Sequence, residues 1–207
     1  ALVAGSAIGM GRAVSEELGS KGVNLILLDR LKTELESTAN YLEREYKVQT
    51  KHLVVDFVKQ NEDMWSTIAD MVDHVQVSIL VNLVGGTTTP KLWLNSTVVD
   101  DEYALHLTSI SALRLTRIVL PKMVERNKGA ILLIGSMSFQ AGPFVAAYAG
   151  EKGKLVSFAK SLNTELEQFS NVTIQCMTLA KVHSPGFNMY KDANSPSKYN
   201  RYSKRRC

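Results

Sequence analysis

The sequence predicts a doubly wound α/β fold, a parallel sheet held between two helix layers in one three-layer α-β-α domain. Three observations carry that expectation. Six short apolar runs recur along the 207 residues, amphipathic stretches of helical length separate them, and a glycine-rich string fills the first junction. The runs are Leu2–Ala4, Val23–Leu28, His52–Val55, Ser78–Val81, Ala130–Ile134 and Val172–Met177. Each is strand-length and apolar on both faces, as strands buried between helix layers must be.

The helical stretches fall at Arg12–Ser20, Lys32–Tyr46, Glu62–His74, Asp100–Arg126 and Ala147–Phe169. Each alternates apolar and polar residues at a period near 3.6, which gives one face to the sheet and one to water. No linker divides residues 1–190, which read as one dinucleotide-binding domain. Residues 191–207 read as a basic, solvated tail, and both ends look cut, with only four residues before the first glycine.

Composition removes several classes of function. Hydrophobic residues make up 45% and charged residues 21%, with mean hydropathy −0.04, the balance of a globular domain rather than a disordered or fibrous chain. No apolar run approaches the length that spans a bilayer, and no signal peptide is visible, so an intracellular site is expected. Cys176 and Cys207 form no framework, and His52, His74, His106 and His183 are scattered, so no metal site is expected. The net charge of +4 is local, because residues 191–207 hold six Lys and Arg against one Asp. That tail has few aromatics, which argues against nucleic acid.

The glycine string is Gly5-Ser6-Ala7-Ile8-Gly9-Met10-Gly11. At a strand-to-helix junction such glycines allow a sharp turn and close approach of a pyrophosphate, while the helix N-terminus offers free N–H groups. The second run is followed at once by Asp29, where a carboxylate would meet an adenosine ribose. Its charge repels a 2′-phosphate and favours NAD(H). Arg30 is placed to pair with that phosphate and keeps NADP(H) open.

Tyr148 and Lys152 stand four apart at the start of a predicted helix and share one face. An ammonium beside a phenol favours the phenolate, which lowers the tyrosine pKa toward neutrality. Ser136 lies 12 residues upstream, just past the fifth run, at the strand end where an open α/β sheet places its ligand.

Together, Ala4-Gly5-x-x-x-Gly9-x-Gly11, Asp56, Asn82-Leu83-Val84-Gly85, Ser136 and Tyr148-x-x-x-Lys152 resemble the short-chain dehydrogenase/reductase superfamily over nearly the whole chain. Val119-Leu120-Pro121-Lys122-Met123 and Lys128-Gly129-Ala130-Ile131 resemble its branch of 17β-hydroxysteroid dehydrogenases and 3-ketoacyl-CoA reductases. The resemblance implies a Rossmann-type fold and hydride transfer between a nicotinamide and a lipid-like carbonyl or alcohol, a steroid or a 3-oxoacyl thioester. It makes Tyr148 the proton donor, Ser136 the holder of the oxygen and Lys152 the partner of both tyrosine and nicotinamide ribose. Gly5, Ser6, Ile8, Gly9 and Gly11 would cradle the pyrophosphate, Asp56 would meet adenine, and Asn82 and Gly85 would floor the adenine ribose. Val182 and Ser184 would touch the carboxamide. It also implies a homodimer through the two long helices, with Leu105, Leu113, Val156 and Leu162 as candidates, and association with the endoplasmic reticulum through a segment preceding Ala1.

The pattern departs from the superfamily at four places. Ala4 replaces a threonine, Leu83 an asparagine, and Leu179-Ala180 a Pro-Gly pair. Thr108 stands where a long-helix asparagine supports a proton-relay water. The serine spacing also falls on Gly135, so Ser136 requires a one-residue deletion, and Ser138 competes with it. These departures keep a second reading open, a dinucleotide-binding scaffold without turnover.

Overall fold

A computed structural model describes residues 1–86, 89–180 and 182. Six parallel strands form one sheet in the order β3-β2-β1-β4-β5-β6. They are β1 (Leu2–Ala4), β2 (Leu25–Asp29), β3 (Thr50–Val54), β4 (Ile79–Asn82), β5 (Gly129–Ser136) and β6 (Val172–Leu179). The chain starts at the centre, moves outward through β2 and β3, returns beside β1 and moves outward the other way. Parallel neighbours need right-handed crossovers, so the two directions of travel place their helices on opposite faces.

On one face, α1 (Gly9–Ser20) and α2 (Lys32–Tyr46) pack on β1 and β2 through Val3, Leu25, Leu27, Leu35 and Leu42. On the other, α3 (Glu62–Asp73), α5 (Ser111–Glu125) and α6 (Ala146–Leu166) enclose a larger core around Leu80, Leu115, Met123, Leu133 and Leu155. Leu2, Leu28 and Leu80 are fully buried, and each fully buried side chain of this size contributes about 1.5–3 kcal/mol.

Two expectations need revision. Neither edge strand buries both faces. Lys51, His52 and Val54 of β3 and Thr173, Gln175 and Met177 of β6 are exposed, because an edge strand lies at the margin of the helix layers. The predicted single helix Asp100–Arg126 is instead α4 (Val98–Ala104), a π-helical segment (Leu105–Ile110) and α5 in one continuous run. Thr97 starts it with a reciprocal cap, accepting from the Asp100 backbone while Asp100 accepts from the Thr97 backbone. The wide turn adds a residue to the helical repeat and directs Thr108, Ser109 and Ser111 inward, where all three are buried.

Candidate active site

The glycine loop runs from the end of β1 into α1. A Cβ on Gly11 would collide with the Gly5 carbonyl oxygen, so that position accepts only glycine. The Ser6 hydroxyl turns inward and donates to the Leu28 carbonyl at 3.3 Å. Asp29, at the end of β2, accepts from the Ala7 N–H at 2.9 Å and from the Leu31 N–H at 3.2 Å. Its carboxylate therefore anchors the loop, a role the spacing alone did not reveal. Ile8 precedes α1 in extended backbone and provides no side-chain cap, which leaves the first N–H groups of the helix for an anion. Arg30 is exposed beside Asp29. Asp56 folds its carboxylate onto the Val58 N–H at 3.0 Å.

The floor of the crevice comes from β4. Asn82 is buried, accepting from the Val84 N–H at 3.1 Å and donating to the Ser111 hydroxyl at 3.5 Å. Leu83 packs on the smaller core instead of offering an amide. A Cβ on Gly85 would lie 2.6 Å from Lys152 Nζ and 3.5 Å from Thr108 Oγ1, so the missing side chain makes room for the lysine head.

Ser136, Tyr148 and Lys152 converge above that floor. Ser136 ends β5, and its oxygen accepts from the Ser138 backbone at 3.2 Å and the Ser138 hydroxyl at 2.9 Å. The Tyr148 phenol hydrogen-bonds to the Ser136 side chain, so Ser136 takes the position next to the tyrosine and Ser138 stands behind it. Lys152 is 3% exposed and donates to the Ile134 carbonyl at 2.6 Å, with Nζ 5.6 Å from the centre of the Tyr148 ring.

The electrostatics differ from the sequence expectation. Burial lifts the Tyr148 phenol above its usual value and the Ser136 hydrogen bond only partly offsets it. Burial pulls the Lys152 ammonium down to about 8. Desolvation disfavours whichever form is charged, and it outweighs the Ser136 hydrogen bond at the phenol and the Cys176 sulfur at the ammonium.

Thr108 lies under the site, fully buried, and its hydroxyl has no hydrogen-bond partner among the described residues. Beyond β6, which runs through Leu179, Val182 is half-buried and Ser184 lies outside the described residues, as does the basic tail. Two further features carry no local sequence signal. Ser109 in the π-helical segment donates to Glu151 on α6 and clamps the helix that carries Tyr148 and Lys152. Phe144, four residues before Tyr148, takes left-handed backbone at φ 67°, and its carbonyl accepts from the Lys91 N–H at 2.9 Å.

A family model described as short chain dehydrogenase matches residues 1–195. The chain is 32% identical over 181 residues to a very-long-chain 3-oxoacyl-CoA reductase of Phaeosphaeria nodorum, covering 86% of this chain and 53% of that one. It is 35% identical over 180 residues to hydroxysteroid dehydrogenase-like protein 1 of Gallus gallus, covering 86% and 54%. It thus spans about half the length of the curated relatives it matches. Its fold superimposes on a short-chain dehydrogenase from Sphingobium yanoikuyae in complex with NADPH, with TM-score 0.83, 24% identity and coverage of 92% and 73%. Among the described residues no helix is long and apolar enough to cross a membrane. With the glycine loop, the serine–tyrosine–lysine group and the family match in register along one sheet, this chain belongs to the short chain dehydrogenase family.

Proposed function

We propose that the protein is a nicotinamide-dependent oxidoreductase acting on a lipid-like carbonyl or alcohol. The observation that carries the reading is the convergence of Ser136, Tyr148 and Lys152 at the C-terminal ends of the strands. The uncapped start of α1, the glycine-only contact at Gly11 and the Asp29 carboxylate fit a dinucleotide. When bound, a nicotinamide supplies the hydride, or accepts it in the reverse direction.

The chain's own residues do the rest. Ser136 holds the substrate oxygen, and Tyr148 delivers or removes its proton. Lys152, held by the Ile134 carbonyl, brings an ammonium beside the phenol and a donor for a ribose hydroxyl. The names of the relatives, very-long-chain 3-oxoacyl-CoA reductase and hydroxysteroid dehydrogenase-like protein, support a 3-oxoacyl thioester or a steroid as substrate.

Replacing Tyr148 by Phe tests the reading. The ring still packs, so cofactor affinity should hold while turnover falls by about 10²–10⁴-fold. Turnover that survives the change sinks the assignment of the proton donor. Cofactor binding without turnover in the unaltered protein returns the scaffold reading.

Asp29 supports NAD(H) over NADP(H), and Arg30 is the residue through which NADP(H) would bind. Because Asp29 also holds the loop, Arg30→Ala is the cleaner probe. It should leave NADH affinity unchanged, and an unaltered protein that binds NADPH at least about tenfold better than NADH, or 1.4 kcal/mol, overturns the preference. A homodimer through α4–α5 and α6 is the proposed assembly. Leu113 is 37% exposed on that face, whereas Leu162 packs on the core of its own chain. Leu105 and Val156 are half-buried. A monomer in sedimentation at micromolar concentration removes this proposal.

A further inference from the structure

His106 belongs to the π-helical segment, two residues before Thr108, and Gln60 belongs to the loop between β3 and α3, four residues after Asp56. Their side chains meet, with Gln60 Nε2 2.8 Å from His106 Nδ1. The same amide nitrogen donates to the Phe57 carbonyl at 3.1 Å, and the amide oxygen accepts from the Trp65 indole N–H at 3.1 Å. Phe57 and Trp65 are buried against each other with ring centres 5.7 Å apart. Arg114 of α5 lies over the Trp65 ring and pairs with Glu62. The reaction steps above use none of these side chains.

The partners fix the role of each atom. An indole N–H only donates and a main-chain carbonyl only accepts, so the Gln60 oxygen faces Trp65 and its NH2 group faces Phe57 and His106. An NH2 group only donates. His106 Nδ1 is therefore its acceptor, and the imidazole is neutral with its proton on Nε2. A second proton lands on Nδ1, the atom that faces the amide hydrogens, and two donors then oppose each other. Turning the amide over would set its NH2 group against the indole N–H and its oxygen against the Phe57 carbonyl, recovering one bond for the loss of two. Charging His106 thus separates the two side chains.

We propose that Gln60 and His106 are positioning residues that tie the loop carrying Asp56 to the segment carrying Thr108, and that protonation of His106 releases the tie and weakens dinucleotide binding. The proposal rests on the oxidoreductase reading above, with adenine beside Asp56 and the nicotinamide beside Lys152. One side-chain bond then joins the two ends of the crevice. The charged groups on the elements around the imidazole are Asp56 and Lys59 of the loop, Glu62 of α3, Glu102 of α4, Arg114 of α5 and Glu151 of α6. Carboxylates ordinarily titrate near about 4 and lysine and arginine above about 10, so between about pH 5.5 and about pH 7.5 the imidazole is the group among them that changes charge.

Imidazole nitrogen chemical shifts, assigned with His106→Asn, test the tautomer. At about pH 7.5 His106 should carry its proton on Nε2, and an Nδ1–H or a charged ring at that pH overturns the proposal. The chain has two tryptophans, so in Trp93→Phe protein the emission reports Trp65 and should shift in one step as pH falls from about 7.5 to about 5.5. His106→Asn keeps an acceptor oxygen near the place of Nδ1 and takes no proton. It should abolish the step, and a step that survives it overturns the proposal.

Calorimetric titration with NADH and with NADPH reads the coupling. Over the same pH range the unaltered protein should lose at least about threefold more affinity than His106→Asn, the scale of one hydrogen bond. His106→Leu should bind at the weaker level at both pH values, and the comparison with His106→Asn decides alone where the leucine variant does not fold. Equal pH dependence in the unaltered protein and His106→Asn overturns the proposal and leaves the oxidoreductase reading standing, because the dinucleotide still binds. No binding of either dinucleotide to the unaltered protein at either pH overturns the oxidoreductase reading and the proposal with it.

Discussion

Lys152 holds an ammonium in a site that resists one. Its tyrosine partner was legible in the sequence because four residues is one helical turn, but its other contacts were not. The Ile134 carbonyl that accepts its hydrogen bond lies 18 residues away on β5, and the Gly85 gap that admits its head lies just beyond β4. Folded Lys152 releases its proton near 8 and the unfolded lysine near 10.5. Below pH 8 both states are charged and the burial penalty is fully present; between 8 and 10.5 the unfolded state binds more protons, so rising pH relieves the penalty. Stability measured against Lys152→Met should therefore improve by about 3 kcal/mol across that window, and a flat difference curve denies the shift. Gly85→Ala makes the complementary prediction. The colliding atom is the tip of a flexible side chain, so the fold should persist with a small change in Tm. Displacing that tip should still cost about tenfold or more in turnover.

At the level of the element, strands were read well because burial on both faces leaves an unbroken apolar run, as at Leu25–Leu28 and Ile131–Ile134. The π-helical segment was not, because local sequence does not select it. Its wide turn matches the inward partners of Ser109 and Ser111, and those partners, Glu151 and Asn82, come from other elements. Within α5, Thr116 shows the cost of a polar group that such partners miss. It is 2% exposed, and its hydroxyl has no hydrogen-bond partner among the described residues. Thr116→Val removes the hydroxyl while keeping the shape, and should raise stability by about 1 kcal/mol, read as a higher urea midpoint at unchanged m. A lower midpoint would mean that the hydroxyl is bonded to water in solution.

The helices among the described residues are unevenly shared between the two faces, and that follows from the central place of β1 in the sheet. Two crossovers leave β1 toward β3 and place α1 and α2 on one face, while the crossovers leading to β4, β5 and β6 place α3, α5 and α6 on the other. Among the described residues, the outer half of the sheet beside α1 therefore carries no helix of its own. A groove of about 610 Å³ runs there, walled by Val14 and Leu18 of α1 and floored by Ile79, Val81, Leu132 and Met177. Parallel strands ordinarily cover both faces, so this floor is an apolar surface able to take up a small hydrophobic probe. Anilinonaphthalene sulfonate should bind the native protein, and Ala130→Glu with Met177→Glu should remove about half of its fluorescence or more. Both positions have room for charge, since Met177 is 49% exposed and Ala130 is exposed on the same face. Surface changes of this kind alter stability by only about 0.5 kcal/mol, so Tm separates a filled groove from a loosened fold. The control is Trp93→Ser in the exposed apolar cluster of Leu92, Trp93, Leu94, Val98 and Val99. If dye fluorescence follows Trp93 and ignores Ala130 and Met177, the groove is closed in solution and the sheet is covered there.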